Sequence, residues 1–251
     1  MITWINESKI EVNGTRFGLA KIGAPQSKIL KILKEPFHID YYAELANDLG
    51  NDLGNDLNIV ELGIRTGAST AFLSVLFQPR RLSAFEIAKR ASDNFDKFLA
   101  SHPIASCIRT HFDCDQGDAG KLKHLLDQDF GQEPLDLVID DASHLLGPTM
   151  TSFNILFPRL RPGGVFVIED WSWEHYQEGR PGFAFADEMV TGFARLVLIA
   201  SLVSAHQPDV VSKVVLMRGI AVIYRGTSEL DPEEFAIDSL MGERGKQLLS
   251  V

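Results

Sequence analysis

The 251 residues, 45% of them hydrophobic, suffice to bury one full core and require no second one. Acidic residues outnumber basic ones by 34 to 24, for a formal charge of −10, and no dense Lys/Arg stripe occurs, which argues against a nucleic-acid backbone as partner. Cys107 and Cys114 belong to no Cys-x-x-Cys or Cys/His pattern and read as ordinary thiols of a reducing compartment. The N-terminus has no basic region followed by an apolar core, and the apolar segment Leu196 to Ala205 is too short to span a bilayer. The expectation is a soluble, cytoplasmic protein.

Taken in order, Lys9 to Leu19 carry Asn13-Gly14 between apolar residues, the signal of a tight hairpin. Ile29 to Leu33 and Tyr41 to Leu45 predict one or two amphipathic helices punctuated by Pro36. From Asn47 the motif Asn-Asp-Leu-Gly repeats. Its leucines recur every four residues, but its glycines oppose a stable helix, so a surface connector is expected. These residues, 1–57, make an N-terminal cap.

Ile59 to Leu62 then read as a strand, Gly63 to Gly67 as a turn, and the following residues through Leu76 as a helix. Gly63 and Gly67 let the chain turn sharply beneath a ligand, and the helix N-terminus points free N–H groups at it. The dinucleotide fingerprint fails, because Arg65 stands where its second glycine belongs. A strand ending in Glu61 followed by G-x-x-x-G is instead what S-adenosylmethionine enzymes of the doubly wound class use. Leu82 to Glu86 predict the next strand, placing Glu86 where a ribose diol needs an acceptor. A strand near Ile104 to Phe112 runs into Asp113-Cys114-Asp115-Gln116. Asp115 and Gln116 suit an adenine edge, although a polar loop before a helix at Leu122 to Leu126 reads the same way.

Two further apolar runs end in acid. Leu135 to Ile139 stop at Asp140-Asp141-Ala142-Ser143-His144. Val165 to Ile168, after the turn Arg161-Pro162-Gly163-Gly164, stop at Glu169-Asp170, with Phe153 to Leu160 as the crossover helix between them. Both acidic ends then lie at the ligand edge of a parallel sheet. Carboxylates gathered there repel one another unless a cation lies among them, and oxygen ligands favour Mg²⁺, Mn²⁺ or Ca²⁺ over zinc. Asp141, Glu169 and Asp170 are the expected ligands. Acids after strands also cap helices, which is the competing reading. Trp171 to Tyr176 predict a flap over the site or packing beneath a loop, Phe185 to His206 a helix, and Lys213 to Arg218 with Ile220 to Tyr224 a closing hairpin. Glu229 to Val251 read as a tail forming a terminal helix.

The set E-L-G-I-R-T-G-A-S-T, F-E-I-A, D-C-D-Q, V-I-D-D-A-S-H and P-G-G-V-F-V-I-E-D resembles the metal-dependent O-methyltransferases of the macrocin and mycinamicin type, which modify sugars of natural products, with cephalosporin hydroxylases as kin. The resemblance covers Ile59 to Trp171. Ala142 and Cys114 depart from it, since glycine is usual at both positions. It implies an α/β fold, a doubly wound, mostly parallel seven-stranded sheet of the Rossmann-like class I methyltransferase kind, over residues 58–228, preceded by the hairpin and helices and followed by a tail at 229–251. It implies S-adenosylmethionine bound by Glu61, Gly63, Gly67, Ser69, Thr70, Glu86, Asp115, Gln116 and Asp140. It also implies Mg²⁺ or Mn²⁺ on Asp141, Glu169 and Asp170, with His144 as base and Asp141 beside it in catalysis. The acceptor would be a small glycosylated or polyhydroxylated molecule, with no membrane partner, and the assembly a homo-oligomer. A catechol-type O-methyltransferase, a cephalosporin-hydroxylase-like enzyme and a non-catalytic S-adenosylmethionine-binding protein are the alternatives.

Overall fold

A computed structural model describes residues 2–20, 29–53, 56–172 and 193–249. The chain contains a four-stranded sheet and a seven-stranded, mostly parallel one, and it divides into two compact units, Met1–Asp113 and Cys114–Val251.

In the first unit, β1 (Ile2–Asn6), β2 (Lys9–Val12) and β3 (Thr15–Leu19) form an antiparallel ribbon. Asn13 and Gly14 both adopt positive φ, 46° and 84°, the backbone that a two-residue hairpin turn needs to match strand twist. The predicted helix at Ile29 to Leu33 is not formed. Lys31–Ile32 instead make a short strand, β4, parallel to β3. The Gly18 and Ala20 N–H groups donate to the Leu30 and Ile32 carbonyls, so this segment's backbone is held in a ladder.

Helix α1 (Pro36–Leu53) starts on its proline, where a missing N–H removes no helical bond. It also runs through the first Asn-Asp-Leu-Gly copy, against the connector expected there. Ile39, Tyr42, Leu45 and Leu49 are buried along one face. Each such side chain contributes about 1.5–3 kcal/mol, more than the ~1 kcal/mol that Gly50 costs the helix.

The unit continues as β5 (Asn58–Leu62), α2 (Ala68–Phe77), β6 (Arg81–Phe85), α3 (Asp93–Ser101) and β7 (Ile108–His111), with β5, β6 and β7 parallel. All five residues of β5 are buried, as expected for a strand covered on both faces. The strand predicted from Ile104 begins later, because Pro103–Cys107 form a 3-10 turn in which the Ile104 N–H donates to the His102 side chain.

The second unit holds α4 (Ala119–Phe130), β8 (Leu135–Asp140), α5 (Leu146–Leu156), β9 (Leu160–Glu169), α6 (Phe193–His206), β10 (Val211–Met217), β11 (Ile220–Arg225) and α7 (Glu243–Leu249). β8 and β9 are parallel, and β11 then β10 add antiparallel as the predicted hairpin. The crossover helix lies seven residues earlier than Phe153, and the Arg161 to Gly164 bend falls inside β9. The Phe153 ring stacks on Phe157 and meets Phe166 at a tilt of 52°, with both centroids 4.8 Å away, so the apolar run divides among helix end, 3-10 turn and strand. The predicted flap beyond Ser172 and the predicted helix before Phe193 lie outside the described residues.

Candidate active site

In the first unit the turn after β5 is shaped by backbone. Gly63, Arg65 and Gly67 all have positive φ, 81°, 48° and 79°. Gly67 caps α2 without a side chain, and a Cβ there would lie 2.2 Å from the Phe95 ring, so only glycine fits. The N-terminal N–H groups of α2 are thus left uncapped by any side chain, which favours negative or electron-rich ligand groups. Ser69 is half-buried, while Thr70 is buried with its hydroxyl making no hydrogen bond to the protein. Glu61 is buried at the end of β5.

Glu86, just past β6, accepts N–H bonds from Arg65 at 2.5 Å and Ala88 at 2.9 Å. Twenty-one residues apart in sequence, Arg65 and Glu86 are tied so that the carboxylate lies beside the glycine turn. Two N–H donors leave carboxylate lone pairs for a further donor.

In the second unit, Asp141, His144 and Asp170 each present one donor atom within 4.8 Å of the others. His144 Nε2 lies 3.8 Å from Asp141 Oδ1, and both side chains are about three-quarters buried. His144 and Asp170 have φ of 53° and 51°, a left-handed backbone that non-glycine residues adopt at some expense and that recurs at functional loops. The Asp170 N–H donates to the Gly219 carbonyl at 2.7 Å, fixing the end of β9 to the turn between β10 and β11.

Glu169, paired in register with Ile220, is buried, and its charge adds to the upward push on the Asp140 carboxyl. Asp140 is fully buried, and burial pushes its carboxyl up to about 6 against the opposing N–H of Ala142, the Gln116 amide and the Ser152 hydroxyl.

Gln116 is buried too. Its amide nitrogen donates to Asp140 Oδ2 and Ser152 Oγ, both at 3.0 Å, and its carbonyl accepts the Ser143 N–H at 2.9 Å. Asp115 is exposed and closes a local turn by accepting the Gly117 N–H. The sequence reading missed the roles of Ser143, Thr149 and Ser152. Their contacts to Gln116 span 27 to 36 positions, and no local spacing signals them.

The two carboxylates, Asp141 and Asp170, are the donor chemistry of a hard dication, and the His144 imidazole lies beside them.

Residues 60–171 match the family described as a methyltransferase domain. The fold is that of a class I methyltransferase. Demethylmacrocin O-methyltransferase of Streptomyces fradiae is 43% identical over 93 residues, 37% of this chain and 22% of that protein. Mycinamicin VI 2''-O-methyltransferase of Micromonospora griseorubida is 43% identical over 107 residues, 43% of this chain and 25% of that protein. Among solved structures, the methyltransferase MycE of the mycinamycin pathway, crystallised with Mg and SAH, superposes with a TM-score of 0.53 and 26% identity, covering 74% of this chain and 49% of that one. TomG, at 22% identity and TM-score 0.54, shares the fold. The stretch that matches the curated relatives is about a quarter of their length. O-methyltransferases of the kind that the motifs resemble are among the sequence matches, and a solved structure of that kind shares the fold.

Proposed function

We propose that this protein is an S-adenosylmethionine- and Mg²⁺-dependent O-methyltransferase acting on a sugar hydroxyl of a glycosylated natural product. The observation that carries the reading is the convergence of Asp141, His144 and Asp170 in a chain that also holds the uncapped glycine turn. The names of the sugar-modifying relatives support the acceptor class, and they favour it over a catechol.

The glycine turn, with Ser69 and Thr70 at the start of α2, would hold the amino-acid end of the cofactor, and Glu86 would accept from its ribose hydroxyls. Asp115 and Asp140 remain assigned to the cofactor in this reading. Asp141 and Asp170 would hold the cation, with Glu169 as the third carboxylate that the family resemblance implies. A bound dication supplies stabilisation of negative charge on the acceptor oxygen.

His144 takes the proton from the acceptor hydroxyl at an imidazole nitrogen. The acceptor oxygen forms its bond to the methyl carbon as the carbon–sulfur bond of the sulfonium breaks, leaving a neutral thioether. Alignment of oxygen, carbon and sulfur supplies much of the rate, so the chain's main work is positioning.

We assign the reaction to the cytoplasm and the assembly to a homo-oligomer without nucleic-acid partners. Among the described residues no helix is long and apolar enough to cross a membrane. Residues 58–228 form the catalytic domain in this reading.

Isothermal titration of S-adenosylmethionine and its demethylated product SAH, each with Mg²⁺ or chelator, tests the assignment on wild type and on Asp141→Ala/Asp170→Ala. Cofactor binding to both proteins with metal heat only in wild type is expected. Absence of cofactor binding to wild type would overturn the reading, and cofactor binding without a metal signal would remove the metal-dependent part.

A further inference from the structure

A glutamine that sequence pattern places against an adenine ring is, in the folded chain, built into the support of the metal-binding loop. The loop from Asp140 to Leu145 carries Asp141 and His144 three residues apart, and between them the Ser143 N–H donates to Gln116 Oε1 at 2.9 Å. The same side chain's amide nitrogen donates to the Asp140 carboxylate at 3.0 Å and to Ser152 Oγ at 3.0 Å, with Thr149 Oγ1 at 3.5 Å. Ser152, on α5, in turn donates to Asp140 Oδ2 at 3.3 Å. Gln116 therefore clamps three points: the last residue of β8, the middle of the loop, and the first turns of α5. All four side chains are buried, where a lost partner leaves a desolvated donor or acceptor behind.

The loop needs such support. His144 is held at φ 53°, and α5 begins at Leu146 with Leu145 as an N-cap that supplies no side-chain bond. Two bonds within the loop also shape it, Ala142 N–H to Asp140 Oδ1 at 3.2 Å and Leu145 N–H to Ser143 Oγ at 3.3 Å, but the bond from the Ser143 N–H to Gln116 ties the loop to a separate segment of the chain, and relaxation there would swing the His144 donor away from Asp141 and Asp170.

We propose that Gln116 is a positioning residue that sets the spacing of the Asp141–His144–Asp170 group through the Ser143 N–H and the Asp140–Ser152 pair, rather than a contact to adenine. The proposal rests on the methyltransferase reading only for what the group is used for; the clamp itself is a property of the second unit.

The test is Gln116→Met, which keeps the side-chain volume and removes both polar ends, with Ser152→Ala as a milder variant that removes one partner of the amide. Three quantities are read on the full chain: amide hydrogen exchange at Ser143, Mn²⁺ affinity by electron paramagnetic resonance, and SAH affinity by calorimetry. For Gln116→Met, exchange at Ser143 is expected to rise at least tenfold and Mn²⁺ affinity to fall at least tenfold, with SAH affinity within threefold of wild type. For Ser152→Ala, the same two quantities should move in the same direction by two- to fivefold, which keeps the test available if the first variant folds poorly.

Weaker SAH binding with unchanged Mn²⁺ affinity would overturn the proposal in favour of adenine contact, and unchanged Ser143 exchange would overturn it outright. Wild-type protein that binds neither Mn²⁺ nor SAH would instead fail the methyltransferase reading, while the exchange measurement would still decide the clamp.

Discussion

The two units present their candidate functional groups by different means. In the first unit the ligand-facing groups are backbone N–H groups, and their aim is set by shape: three positive φ values between Gly63 and Gly67, a ring at Phe95 that leaves no room for a Cβ, and one carboxylate, Glu86, tying the turn. In the second unit the working groups are side chains, and their aim is set by a buried polar network behind them. The first half should therefore fail to steric change and tolerate change of charge away from Glu86. The second should fail to isosteric loss of one polar atom.

The largest effect is expected at Asp141. Replacing it by Asn, nearly the same shape, should weaken Mn²⁺ binding by about 100-fold or more, since a hard dication loses a charged ligand. SAH affinity should stay within twofold, and calorimetry in the same buffer checks both. A parallel loss of SAH binding would show that the two halves do not act separately.

The converse experiment is Gly67→Ala. The added carbon meets the Phe95 ring and must adopt a positive φ, costs of about 1–3 kcal/mol for overpacking and about 1 kcal/mol for backbone. SAH affinity should fall about 100-fold, Mn²⁺ affinity should hold, and the midpoint of urea unfolding should drop.

A smaller loss is expected for Glu86→Gln. The ring of donors around this position, the N–H groups of Arg65 and Ala88, would meet a neutral acceptor whose NH₂ repels one of them. About tenfold weaker SAH binding is expected, roughly the ~1.5 kcal/mol of one charge-assisted hydrogen bond.

The smallest effect sharpens the comparison without touching either loop. Burial raises the Cys107 thiol to about 11, so at pH 7.5 its thiolate fraction is on the order of 10⁻³ to 10⁻⁴ and alkylation is slow. The rate should rise about tenfold per pH unit until the folded pKa is passed, because only the thiolate reacts. Opening of the first unit removes the burial. Gly67→Ala should therefore speed Cys107 alkylation at pH 7.5, read by mass spectrometry of the labelled peptide, whereas Asp141→Asn should not.

The fold was readable wherever a local rule sufficed. Asn13-Gly14 dictates a primed turn, and the apolar runs ending in Glu61, Phe85, Asp140 and Glu169 mark four strands of the large sheet. Reading failed where tertiary burial outweighed local preference. Gly50 did not stop α1, because the helix buries one face through Ile39, Tyr42, Leu45 and Leu49 ahead of it, and Ile29 to Leu33 did not form a helix, because β3 offered a ladder. Among site residues, the acids and His144 stand out by their place after apolar runs, but which of Glu169 and Asp170 joins Asp141 and His144 depends on the strand pleat and on a left-handed residue at the end of β9.

The sequence by itself determined the chemistry: a glycine turn between a strand and a helix, an acid after the second strand, and carboxylates with an imidazole after two later ones. Those follow from residue type and spacing along one chain, which a linear reading can count. Only the tertiary structure decided the aim of those groups. Glu86 meets Arg65 across 21 positions because β5 and β6 are parallel neighbours, and Gln116 meets Ser143 across 27 because the end of β8 and α5 close on its side chain in a buried polar cluster.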